Sequence, residues 1–214
     1  MNNITMEGFD RKKHWENIYQ TKELKPVSWY QAMPETSLAF VKELNLPLSA
    51  KIIDVGGGDS LLVDYLLELG YEDITVLDIS EMALERAKLR LGPLSSKVKW
   101  IVSDITTFKA TEKYAFWHDR AVFHFFTHEQ EVEKYVLIVN ESLESDGFAV
   151  IGTFSEDGPT SCSGLDVKQY SEKTLTHSFR PFFDKIVCKK VNHPTPFATI
   201  QNFVFCIFRK KIVF

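Results

Sequence analysis

Three consecutive glycines, Gly56-Gly57-Gly58, follow the short apolar run Lys51-Ile52-Ile53-Asp54-Val55. A run of that kind stopping at glycine reads as a buried strand entering a tight turn. Glycines let a ligand lie against the backbone, and the start of the next helix offers free N–H groups. Plain turns use the same residues, so the triplet alone leaves both readings open. Leu61 stands where the third glycine of the fingerprint G-x-G-x-x-G belongs, which speaks against a nicotinamide cofactor. Two acids extend the pattern. Asp78 closes the run Ile74-Thr75-Val76-Leu77, at the position whose carboxylate accepts from both hydroxyls of an adenosine ribose. Asp104 follows Val98 to Val102, where a polar side chain can meet an adenine edge. Each acid alone would serve as a turn or helix-entry residue. Three such features on consecutive strand ends point to a ligand site.

A second group of reactive side chains lies in Trp117-His118-Asp119-Arg120-Ala121-Val122-Phe123-His124, with His128 close behind. No His-Glu-x-x-His or Cys/His spacing accompanies them, so no metal is read from them. His118 is a candidate base or cofactor contact, and Asp119 a candidate catalytic residue. Cys162, in the loop 155–169, either faces a substrate or is a small residue in a turn. Trp15, Tyr19, Trp29 and Tyr30 form an aromatic group ahead of the first strand.

These residues need elements to hold them. Helices are predicted over 10–21, with Trp15, Ile18 and Tyr19 on one side, and over 35–45; Pro26 and Pro34 mark an ordered loop between them. Strands follow at 51–55, 74–78, 98–102, 114–117 and 148–154. The helices between them span about 60–69, 81–91 (capped by Ser80 and closed by Gly92) and 128–143, the last with a Thr127–Gln130 capping box. A short helix near 171–180 precedes two long β runs, 184–192 and 200–210. Strands alternating with helices imply a parallel sheet covered on both faces. The closing pair makes it mixed.

The chain has 214 residues, room for one domain. Hydrophobic residues make up 44% and charged residues 25%, which excludes disordered, collagen-like and disulfide-rich classes. A net charge of −4 argues against a nucleic-acid partner. Cys162, Cys188 and Cys206 are too few and scattered for a disulfide framework, and no stretch has the length of a membrane span or signal core. The expected setting is the cytoplasm.

Asp54-x-Gly56-x-Gly58, Asp78-Ile79-Ser80 and Ser103-Asp104-Ile105, in this order and spacing, resemble class I S-adenosylmethionine-dependent methyltransferases. The resemblance covers about residues 10–210, with Ser60 where a further glycine often stands. It implies a Rossmann-like α/β fold, a seven-stranded mixed sheet with helices on both faces and the last strand antiparallel. It implies one methyltransferase domain over 1–214: a helical cover (1–48), a cofactor-binding core (49–155) and an acceptor side (156–214). S-adenosylmethionine is then the cofactor. Asp54 and the Gly56, Gly57 and Gly58 backbone would neighbour its methionine part, and Asp78 would take the ribose hydroxyls. Ile79, beside Ser80, would pack on adenine, with Asp104 and Ile105 at its edge. Trp15, Tyr19 and Trp29 would cover the cofactor, or serve only to hold down the N-terminal helices.

The loop after His118 would then face the methyl group, and transfer from a sulfonium needs no metal. The stretch is similar to a bacterial branch described as thiopurine- or trans-aconitate-methyltransferase-like. It lacks the Lys-Gly pair of relatives that methylate protein lysines, and no Asn/Asp-Pro-Pro-Tyr/Phe or Pro-Cys motif of nucleobase enzymes is present. The expected reaction is methyl transfer to a small molecule, with no nucleic-acid or membrane partner. The alternatives are a protein-lysine methyltransferase and a cofactor-binding protein without transferase activity.

Overall fold

The computed structural model describes residues 9–22 and 27–212. Residues 1–8, 213–214 and 23–26, including Pro26 of the expected loop, lie outside the described residues. Nine strands are described: β1 (Lys51–Val55), β2 (Asp73–Asp78), β3 (Val98–Val102), β4 (Tyr114–Arg120), β5 (Leu143–Phe154), β6 (Ser161–Cys162), β7 (Leu165–Asp166), β8 (Phe183–Pro194) and β9 (Ile200–Lys210). The helices are α1 (Arg11–Thr21), α2 (Glu35–Leu44), α3 (Leu62–Glu68), α4 (Glu81–Leu91), α5 (Glu129–Ser142) and α6 (Glu172–Phe179).

Seven strands form one sheet in the order β3-β2-β1-β4-β5-β9-β8. The pairs β1–β2, β2–β3, β1–β4 and β4–β5 are parallel, while β9 runs antiparallel to both β5 and β8. The expected Rossmann-like mixed sheet is the observed one. Chain order reverses between β1 and β4, and in an open α/β sheet ligands sit beyond the strand ends at such a switch point.

Each face of the sheet carries its own core. Leu38 and Val41 of α2, Leu62 and Leu66 of α3 and Leu84 of α4 pack on one side. Tyr135, Val136 and Val139 of α5, with Leu175 and Phe179 of α6, pack on the other. Period-two alternation divides β4 between them: Phe116 belongs to the first core and Trp117 to the second.

The structure departs from the expected boundaries in four places. β4 runs on from residue 117 to Arg120, because Ile52 to Val55 of β1 pair with Phe116 to Asp119. β5 starts at Leu143 rather than 148, with Asp146 in the left-handed region (φ 68°) where the strand bulges. The Thr127–Gln130 capping box does not form. α5 begins at Glu129 with His128 at its N-cap and no side-chain cap, and Glu129 and Glu131 supply negative charge to its first turn instead. Within the expected loop 155–169, β6 and β7 pair as a small ladder. Cys188 and Cys206, 18 residues apart in sequence, face each other across β8 and β9 and form a disulfide. Linear spacing hid that pairing.

Candidate functional site

The turn after β1 is a cradle. Gly56 and Gly58 have φ of 65° and 46°, a backbone region costly to residues with a side chain. A Cβ on Gly56 would lie 2.0 Å from the Val122 side chain, and one on Gly58 would lie 2.7 Å from the Tyr19 hydroxyl. The turn is pinned from behind, as the Gly56 amide donates to the Leu77 carbonyl at 2.7 Å.

Asp78 ends β2 with 4% of its surface exposed. Its Oδ1 accepts from the Ser80 amide at 2.8 Å, and its Oδ2 faces Gly58. Burial, with the neighbouring Asp59 and Asp54 carboxylates adding to it, pushes its carboxyl up to about 7, against the hydrogen bonds from Ser80 and Ile79. Asp104 accepts at 2.8 Å from both the Thr106 amide and hydroxyl, which fixes the turn carrying buried Ile105. Asp78, Ile79, Asp104 and Ile105 line one cavity with Asp54, Gly56 and Gly57. Gly58 and Ser80 lie behind that wall. Ser80 instead caps α4 by accepting from the Ala83 amide, and its own amide orients Asp78.

β1–β4 pairing sets Asp54 opposite His118. His118 Nδ1 lies 2.6 Å from Asp54 Oδ1, and its Nε2 lies 2.8 Å from the hydroxyl of buried Ser37 on α2. Both ring nitrogens are engaged, so His118 acts here by orienting Asp54 rather than as an open base. Asp119 is a correction. Alternation turns it to the opposite face, where its Oδ1 accepts from the Val122 amide at 2.9 Å and its Oδ2 from the Tyr135 hydroxyl. It is wholly buried and absent from the cavity wall. It organises the loop after β4 and is not placed for catalysis.

The N-terminal aromatic rings form a cluster. Trp15 stands edge-on to Trp29 at 6.3 Å and to Phe125 at 5.2 Å between ring centres, and Tyr19 meets Trp29 at 6.4 Å. All four rings line the cavity. Two residues missed in the sequence tie α1 to α4. Glu16 accepts from the Ser80 hydroxyl (2.9 Å) and from the Glu81 (2.7 Å) and Met82 amides at the N-terminus of α4. Arg86 donates to the Tyr19 and Lys22 carbonyls and reaches the buried Asp59 at 3.5 Å. Such reach between distant segments leaves no local signal. Arg120, which lines the cavity wall, did leave one, since it stands two residues after His118 in the same strand.

Residues 52–147 match the family model described as a methyltransferase domain. That segment is similar to a methyltransferase domain. The chain is 30% identical over 98 residues to the Bos taurus eEF1A lysine and N-terminal methyltransferase, covering 46% of this chain and 14% of that one. It therefore spans about a seventh of that relative's length. Among solved structures, one described as converting a disulfide bond into a thioacetal group during echinomycin biosynthesis superposes with a TM-score of 0.78 at 16% identity, covering 94% of this chain and 93% of the other. The 1,6-didemethyltoxoflavin-N1-methyltransferase of Burkholderia thailandensis, solved with 1,6-didemethyltoxoflavin and S-adenosylhomocysteine, gives 0.68 at 21% identity over 85% and 79%. Both likenesses concern the fold.

The cradle suits S-adenosylmethionine. The chain offers a side-chain-free turn, a buried carboxylate beyond β2 and aromatic faces above them, all in one cavity.

Proposed function

We propose that this chain transfers a methyl group from S-adenosylmethionine to a small-molecule acceptor held beneath the aromatic cover. The observation carrying this reading is the placement of Asp78, the glycine turn and the Trp15, Tyr19 and Trp29 rings around one partly buried cavity. A cavity roofed by a helix suits a metabolite better than a lysine on a folded protein surface.

When bound, the cofactor would supply an activated methyl group on a sulfonium. Asp78 would accept from the ribose hydroxyls, Ile79 and Ile105 would pack against adenine, and Asp104 would meet its edge. Asp54, oriented by His118, would hold the ammonium of the methionine part. Trp15, Tyr19 and Trp29 would turn aromatic faces to the cation and exclude water. Held by these residues, the cofactor would offer its methyl carbon to a lone pair of the acceptor. The chain's main contribution is alignment.

The curated relatives favour a second reading, methylation of a protein lysine. A full chain supplied with tritiated cofactor separates the two: label in a metabolite extract supports the first, label confined to a protein band supports the second. Binding of S-adenosylhomocysteine without either product would mean a cofactor-binding protein. A place in the thiopurine- and trans-aconitate-like branch is part of the proposal, supported by the stretch Trp117 to His124, and the net charge of −4 supports the absence of a nucleic-acid partner. No helix among the described residues is long and apolar enough to cross a membrane. The proposed setting is the cytoplasm; the Cys188–Cys206 bridge argues against it, and alkylation of the thiols in intact cells decides between them.

A further inference from the structure

Arg120 is the one guanidinium in the cavity wall that lacks a charged partner among the described residues. It ends β4 on the face of His118, partly buried, and lines the same cavity as Cys162, Tyr30 and Gln31. Its Nη1 donates to the Trp29 carbonyl at 3.0 Å, while its shielded Nη2 has no partner. Phe203 lies beneath it at 5.0 Å. Arg11, the other arginine along the wall, is paired with Glu131.

The surroundings do not balance this charge. Asp54 is engaged by His118, and Asp59 by Arg86. Asp119 points to the other side of the sheet. His124 is pushed down to about 3 by burial and by Arg120, and His193 is lowered for the same reasons, so both are neutral at pH 7. Burial raises the Cys162 thiol, which keeps it neutral as well. Burying a cation without a counter-charge is costly. The planar guanidinium fork fits a carboxylate in bidentate fashion, so an anion in the cavity offsets that cost with geometric selectivity.

Resting on the methyl-transfer reading, we propose that Arg120 anchors a carboxylate on the methyl acceptor. The acceptor is then a small organic acid, its flat or apolar body against Trp29, Tyr30 and Phe125, with the methylated atom turned toward the glycine turn. Arg120 would then mark the acceptor's place in the cavity, and Asp78 the cofactor's. A negatively charged acceptor would also lessen repulsion between the guanidinium and a sulfonium.

The test uses the full chain, loaded with S-adenosylhomocysteine and unloaded, and matched probes: benzoate against benzamide, cinnamate against cinnamamide, and phenyl phosphate. Titration calorimetry on wild type should show the acids binding at least about tenfold tighter than their amides, a difference of about 1.4 kcal/mol. Arg120→Gln keeps a donor for the Trp29 carbonyl and removes the charge. It should erase the acid preference while S-adenosylhomocysteine still binds. Equal binding of acids and amides, an acid preference that survives Arg120→Gln, or a preference for phenyl phosphate over both acids would overturn the proposal. Should Arg120→Gln fail to fold, the wild-type comparison and Arg120→Lys, which loses the fork, decide it. Failure of S-adenosylhomocysteine to bind strikes only the underlying methyl-transfer reading, because the acid–amide comparison is also made on the unloaded chain.

Discussion

Asp78 concentrates the site's chemistry in one carboxyl group. Its folded value of about 7 lies above the ordinary 3.8, so the folded chain keeps a proton there that the unfolded chain gives up. The resulting stability is full below the ordinary value and is lost as pH rises through about 7. Ribose hydroxyls donate to the ionised form, so affinity for S-adenosylhomocysteine should increase from pH 6 to pH 8. In Asp78→Asn that slope should vanish and binding should weaken roughly ten- to a hundredfold, the equivalent of about 1.5–3 kcal/mol. Calorimetry across that range checks both; a pH-independent wild type would remove Asp78 from the ribose site. Asp119 should matter for stability rather than for cofactor binding. Asp119→Ala strands the Tyr135 hydroxyl and the Val122 amide, costing about 2–3 kcal/mol in thermal unfolding, with cofactor affinity unchanged. The acids at strand ends were legible because strand termini show in the sequence. The different fates of His118 and Asp119 were legible too, had period-two alternation been carried through β4. Ser37, Glu16 and Arg86 were not, since each acts on a segment far away in the chain.

At the scale of elements, α1 is more than an aromatic roof. Its Glu16 carboxylate occupies the positive N-terminus of α4, and Arg86 of α4 returns the contact to the carbonyls at the end of α1. Glu16→Gln should therefore release S-adenosylhomocysteine about tenfold faster, a change near 1.4 kcal/mol, read by stopped-flow fluorescence of Trp15 and Trp29. An unchanged release rate would reduce α1 to packing. The alternation of β1 to β5 with their helices was plain from apolar runs and glycine stops. The capping box at Thr127 was a false signal: the short helical turn Phe123–Phe125 precedes it, and α5 starts later with acids in its first turn. The β6–β7 ladder, with two residues per strand, is too short to leave a periodicity.

For the whole molecule, the mixed end of the sheet matters most. The Cys188–Cys206 bridge closes a loop with a sequence separation of 18, and such a closure is worth about 3 kcal/mol in the chain-entropy account. Reduction should lower the midpoint of thermal unfolding by roughly 6–12 °C for a chain of this size. An unchanged calorimetric trace in reductant would show the bridge to be energetically idle. The strand it ties down, β8, is one of the two edges of the sheet. Lys185, Lys189 and Lys190 stand along it, and its pairing with β9 slips between Lys185 and Val187. Charge and an irregular ladder both discourage another β-strand from adding to an open edge. Self-propagating polymerisation is thus resisted at this border.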